Sequence, residues 1–341
     1  RENGFVLVLA LLHLFGPQNG GTSALVLGPC LFWGTFGGFM LIITIWPLFA
    51  LICLGFLMVR GGFPGGGFWL AAERLNYFVL FPALLFVRLA SAPVRDPAIF
   101  RLGVAAILTI GIAALCLLLA RMIWSTPAAR FGPALQGTVR FNTYLGLAIV
   151  ASIAGPVGVE CAAVLLAVSV PLVNVLSILA LTARGQRVNF GALTRRVLEN
   201  PLIIACALGM IVAFSGGEVP FGTGPFFEIL AWISLPLGLL CVGAALRPQA
   251  LARDALVVVG NSALRLLAMP VLAALVGAAC GLSGPEALVV VVFSAIPTAP
   301  TSYVLTRQLQ GDGTLMAAIV TAQTLCAIIT IPFILFMLGF S

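Results

Sequence analysis

The residues able to do chemistry in this chain are few. The densest group lies between Val289 and Arg307, in VVVVFSAIPTAPTSYVLTR. This run is long and apolar enough to enter a bilayer, yet it carries Pro297 and Pro300, with Ser294, Thr298, Thr301, Ser302 and Tyr303 around them. Proline removes a backbone donor and clashes with the preceding turn, so the helix is expected to break here. Broken backbone at membrane depth persists only where protein or a water-filled cavity satisfies the freed N–H and C=O groups. The N–H groups that open the following half-helix carry partial positive charge. They bind carboxylates without needing a lysine. Pro297, Thr298, Pro300 and Thr301 are therefore candidate substrate-binding residues; a plain proline kink in a packed helix is the competing reading.

A second polar interruption, GTVRFNTYLGLAIVASIAG, contains Asn142 and Thr143. An unpaired amide in hydrocarbon costs about 2–7 kcal/mol. Asn142 thus bonds a neighbouring helix, holds the crossover, or donates to a substrate carboxylate. The Thr143 hydroxyl either joins that site or bonds its own backbone. Arg265 sits well inside an apolar run, where an arginine costs about 2.5–3.5 kcal/mol even on the lenient insertion scale. It can grip an anion through two parallel bonds, snorkel to the interface, or bond the broken backbone. Asn261, one turn earlier, is a weaker companion. Gln323 and Thr324 are candidate cavity-lining groups. Arg140 either steers anions or marks the inner interface. Glu73 and Arg74 read as interfacial, Glu160 as solvated near the outer end of its span, and Asn174 as a helix-packing residue.

These groups must be positioned by helices in a membrane. The 341 residues are 62% hydrophobic and 8% charged, against about 25% charged in a soluble protein. Apolar runs of about 20 residues recur, and the alternation of a β-barrel is missing. The reading is an all-α polytopic membrane protein with ten transmembrane helices, at 40–59, 68–92, 101–123, 134–155, 157–183, 197–215, 226–246, 255–281, 287–306 and 315–340. Residues 1–39 read as an N-terminal extension outside this unit. All 17 basic residues are arginines. With the connection 184–196 in the cytoplasm, Arg60, Arg121, Arg130, Arg184, Arg187, Arg195, Arg196, Arg247, Arg253 and Arg307 fall inside, and only Arg95 and Arg101 fall in connections outside. That placement follows the positive-inside rule; the arginines are topology signals and not a nucleic-acid patch.

An internal repeat organises the spans. Pro47 to Pro82 and Pro201 to Pro236 are both 35 residues apart, so one offset of 154 aligns spans one and two with six and seven. The same offset carries Pro297 onto Thr143, beside Asn142. The two interrupted spans therefore occupy the same place in two halves, 40–183 and 197–341. Each half has an odd number of spans, so the halves insert as inverted repeats, a secondary-transporter pattern.

The pieces WPLFALICLGFLMVR (46–60), LNYFVLFPALLFVRLAS (75–91), FNTYLG (141–146), ENPLIIACALGMI (199–211), LPLGLLCVGAAL (235–246), RLLAMP (265–270), SAIPTAP (294–300) and the 321–332 stretch together resemble the auxin efflux carrier family. The resemblance includes that family's bacterial branch of malonate transporters, and covers about residues 40–340. It implies two inverted five-helix repeats whose broken fourth and ninth helices cross at the site. It also implies a scaffold of helices 1, 2, 6 and 7, a moving unit of the others, and often a homodimer. Plant carriers have Pro-Asn-Thr in the fourth helix where this chain has Phe141-Asn142-Thr143.

The functional expectation is a secondary transporter of small organic anions, such as malonate-like carboxylates, by alternating access. The arginine-only, Ala/Gly/Leu-rich usage suits a bacterial inner membrane. The alternative is a sodium-coupled symporter of bile-acid type with the same fold, but the acidic ligands it requires in the spans are missing. No span holds a central aspartate for exchange of protons or sodium. An intramembrane enzyme is not expected. The only Asp near the broken span, Asp312, lies in a connection without a second catalytic Asp, and the single histidine, His13, lies outside the spans. Eight cysteines stand singly and read as buried hydrophobes, so no cofactor or metal is expected.

Overall fold

The computed structural model describes residues 27–340 apart from 66, 93–96, 183–190, 192–194, 196–198, 216–218, 220–221 and 253, with side chains from residue 41 onward, 252 apart. Residues 1–26 of the expected extension, His13, Arg95 and most of the basic connection 184–196 lie outside the described residues.

Helices apolar on every face are what a chain solvated by lipid outside and protein inside must build. Among the described residues the structure is helical, with no strand. In chain order the elements are α1 (Leu27–Arg60), α2 (Phe68–Ala90) and α3 (Pro97–Ile123), α4 (Ala128–Val139), α5 (Thr143–Leu181), α6 (Pro201–Ser215) and α7 (Gly224–Ala244). Then follow α8 (Ala255–Ala279), α9 (Gly284–Ala295), α10 (Thr301–Gln308) and α11 (Gly313–Met337). Among the described residues seven stretches are long and apolar enough to cross a membrane, while α6 and α9 are shorter apolar helices. The first helix starts upstream of the Met40 at which a span was expected to open. The expected span 134–155 begins earlier, after the extended Pro127.

Local chemistry sets the breaks. Gly155 has φ 58° and ψ −149°, a conformation open to glycine and strained for other residues, so α5 is two helices meeting at that point. Pro82 and Pro270 cannot donate to the preceding turn, and each follows a widened π turn, Asn76–Leu80 in α2 and Leu264–Ala268 in α8.

The helices pack in two groups that also touch each other, α11 against α1 and α5 against α6 and α7. Helix α7 lies against α1 and α2, and α2 against α6; in the other group α5 meets α3, α4 and α9, while α8 meets α3, α9 and α11. Within the first group, Asn76 Nδ2 donates to the Ser234 carbonyl at 3.0 Å and Ser234 Oγ donates back to Asn76 Oδ1 at 2.9 Å, with both residues fully buried.

Glycines bring α1 and α7 backbone to backbone. A Cβ on Gly55 would lie 2.8 Å from the Leu240 carbonyl carbon, and one on Gly243 would lie 2.8 Å from the Ile52 carbonyl carbon. Small residues at such contacts are how membrane helices approach closely. Gly243→Ala is expected to destabilise the protein by about 1–3 kcal/mol through overpacking, read as a lowered melting temperature in detergent. An unchanged melting temperature would contradict this packing.

Candidate substrate site at the helix crossover

The two interrupted segments meet. Helix α4 ends at Val139, and Arg140 turns extended at φ −80° and ψ 154°. Helix α9 ends at Ala295, and Ile296 is likewise extended at φ −76° and ψ 154°. The Asn142 N–H donates to the Pro297 carbonyl at 2.8 Å, which ties one break to the other. The break at 140–142 forms with Phe141 where plant carriers have proline.

A buried polar lattice supports the crossing. Arg265, 1% exposed, donates through Nε to the Ile296 carbonyl at 2.7 Å, through Nη1 to the Thr138 carbonyl at 2.9 Å, and through Nη2 to the Phe293 carbonyl at 2.6 Å. These carbonyls belong to the C-terminal ends of α4 and α9, where intrahelical donors run out and partial negative charge collects. The guanidinium thus caps two helix ends at once. Gln323 accepts from the Thr298 N–H at 2.9 Å and donates to the Gly137 carbonyl at 2.9 Å and to Asn261 Oδ1 at 3.0 Å. Asn261 Nδ2 donates to the Ala134 carbonyl at 2.7 Å and to Thr138 Oγ1 at 3.0 Å. Thr298 Oγ1 donates to the Gln136 carbonyl at 3.1 Å, and Gln136 Nε2 donates to Thr306 Oγ1 at 2.9 Å.

The opposite ends of the breaks face a cavity of about 640 Å³, within the usual range of small-molecule sites. Its wall includes Asn142, Thr143 and Tyr144 at the start of α5, and Ala299, Pro300 and Thr301 at the start of α10. Around them stand Glu73, Arg74, Tyr77, Phe78 and Phe81 of α2, Arg140, Phe141, Asn174, Asn200 and Cys241. Leu70, Ile178, Leu202 and Gln308 place its mouth at the end of the molecule where α5 and α6 are joined.

Two polar groups in this wall are underused. Asn142 is 1% exposed and its Oδ1 caps α5 by accepting from the Leu145 N–H at 3.3 Å, while its Nδ2 has no hydrogen-bond partner. Arg140 reaches only Gln136 Oε1 at 3.4 Å and Thr301 Oγ1 at 3.5 Å, and has no carboxylate partner among the described residues. Arg140 lines the cavity with donors to spare, while Asn142 Nδ2 is itself buried and reaches a ligand only if the start of α5 shifts.

The candidate residues therefore divide. Asn142, Thr143, Pro300 and Thr301 line the cavity. Arg265, Pro297, Thr298 and Gln323 lie behind it, with their polar groups bonded within the crossing. Of the readings open for Arg265, the bond to broken backbone is the one its contacts fit. Its three hydrogen-bonded nitrogens face carbonyls, so it is not available as an anion grip. Glu73, Arg74 and Asn174 line the cavity, where the sequence suggested an interface and a packing contact. Gln136, Tyr77, Tyr144 and Asn200 escaped the sequence reading. For Gln136 the available signal was an amide in an apolar span, the same that marked Gln323. On the side away from the mouth, Arg88 and Glu228 pair α2 with α7 through two bonds of 3.2 and 3.0 Å. Among the described residues no group of three His, Cys, Asp or Glu side chains is arranged to hold a metal.

A polytopic helical membrane protein whose interrupted helices converge on a cavity has the architecture of a membrane transporter. A family model described as membrane transport protein matches residues 40–335, and the chain belongs to that family, the auxin efflux carrier family. A search of curated proteins found no match.

Proposed function

We propose that this protein is a secondary carrier that moves small organic anions, of the malonate-like carboxylate type, across a bacterial inner membrane by alternating access. One observation carries the reading: the starts of α5 and α10 line the cavity, while the ends of α4 and α9 point away to Arg265. Helix starts favour anions and helix ends favour cations. The cavity thus offers an anion two partial positive charges and the Arg140 guanidinium, with the buried, unpartnered Asn142 amide beside them.

In this reading the chain crosses the membrane ten times as two inverted five-helix repeats, with α4 and the start of α5 as the fourth span and α9 with α10 as the ninth. The group α1, α2, α6 and α7 is the static scaffold, and the crossing moves against it. With the arginine-rich connections inside, the cavity mouth opens to the cytoplasm, and the Arg88–Glu228 side is closed.

The test is current from purified protein in liposomes on a sensor surface. It would be challenged with malonate, other short carboxylates and indole-3-acetate, with and without pH or sodium gradients. A saturable carboxylate-evoked current is expected, with an apparent affinity lowered about tenfold or more in Arg140→Gln, which loses a charge-assisted donor. Current only with sodium plus a neutral or steroid solute would contradict the anion assignment.

A further inference from the structure

The cavity holds a group that its proposed cargo should repel. Glu73 is the only carboxylate in the wall described for it. It is half-buried, and its side-chain carboxyl group has no hydrogen bond or ion pair among the described residues. The titratable and charged groups around it are Arg74 and Tyr77 on its own helix, Arg140 and Tyr144 at the first break, and Cys241 on α7. The two arginines share the cavity without pairing with it; no ion pair fixes Glu73 as a carboxylate. An ionised Glu73 facing a carboxylate ligand across a partly dehydrated cavity is a like-charge pair. A protonated Glu73 is neutral and offers an O–H donor to that same ligand.

We propose that Glu73 makes anion binding proton-linked: the cavity takes up a carboxylate together with one proton held on the Glu73 carboxyl group. The proton comes from water at the cavity mouth, the Glu73 O–H donates to the anion while it is bound, and the proton returns to water when the anion leaves. No other bond is made or broken. Linkage is reciprocal, so the anion raises the proton affinity of Glu73 by the same factor that protonation raises anion affinity. The sign follows: affinity for an anion rises as pH falls through the titration of Glu73 and is lost as pH rises above it. One linked proton gives a slope of up to about tenfold per pH unit. This inference rests on the carboxylate reading of the cavity.

The experiment is calorimetric titration of purified protein with malonate between about pH 5 and about pH 8, in buffers of different ionisation enthalpy, for wild type, Glu73→Gln and Glu73→Asp. The wild type is expected to lose about tenfold or more in affinity as pH rises across that range, and to take up a proton on binding. In Glu73→Gln the loss and the proton uptake beyond malonate's own titration should vanish, while Glu73→Asp should keep both. The same pH dependence in Glu73→Gln as in wild type would overturn the proposal while leaving the carboxylate site standing. Should Glu73→Gln fail to fold, proton uptake by the wild type above that of malonate itself supports the proposal, and none overturns it. A wild type that binds no malonate at any pH overturns the carboxylate reading and this inference with it.

Discussion

Arg265→Met is expected to lower the melting temperature sharply, whether or not any anion is present. Three carbonyls, those of Thr138, Phe293 and Ile296, lose charge-assisted donors between 2.6 and 2.9 Å. They sit in a buried region that offers water no easy entry. An orphaned buried acceptor costs about 1–3 kcal/mol, so the three together approach the whole stability of a typical domain, about 5–15 kcal/mol. The two helix ends they belong to also lose the positive charge that offsets their aligned dipoles. Arg265→Lys should recover little, because one ammonium cannot reproduce a planar fork reaching three separated carbonyls. The measurement is thermal unfolding of the purified variants, with malonate affinity of the folded fraction recorded beside it. A variant that melted like wild type but bound malonate far more weakly would show that Arg265 is a ligand and not a clamp.

Asn142→Asp is expected to do the reverse: keep the fold and lose the anion. Asp caps a helix as well as Asn does, so the bond from the Leu145 N–H to the side-chain oxygen survives. The backbone bond from residue 142 to the Pro297 carbonyl does not involve the side chain. What disappears is the Nδ2 donor, and what replaces it is a negatively charged oxygen facing the proposed carboxylate. A hydrogen bond to a charged group contributes about 1.5–3 kcal/mol, so affinity should fall at least about tenfold, and further through repulsion. Equal melting temperatures with a lost malonate-evoked current would separate this role from that of Arg265. An unchanged current would remove Asn142 from the site.

The breaks were legible because their residues are rare in hydrocarbon. Pro297, Pro300 and Asn142 each announce a local failure of the helix ladder, and the repeat offset that carries Pro297 onto Thr143 pairs positions that the structure joins through Asn142 and Pro297. The proline-free break at Phe141 was less legible, because its cause is tertiary: the carbonyl of Thr138 bonds Arg265, and the N–H of Asn142 bonds the other break. The role of Arg265 could not be read from α8 alone, since its partners lie 28 to 127 residues away. Glu73 and Arg74 looked interfacial for the same reason. Only the packing of α2 beside the start of α5 turns that stretch toward the cavity; the polar side of FWLAAERL (68–75) reads equally well as facing water at an interface or water in a cavity.

The most direct test of a carboxylate site at the crossing is an experimental structure determined with malonate. The proposal predicts ligand density in the cavity between the starts of α5 and α10, with a carboxylate oxygen within hydrogen-bonding distance of Asn142 Nδ2 and near Arg140. Malonate found instead against Arg265, with the Thr138, Phe293 and Ile296 carbonyls released, would contradict it. So would a cavity left empty at saturating malonate while the protein still transports it.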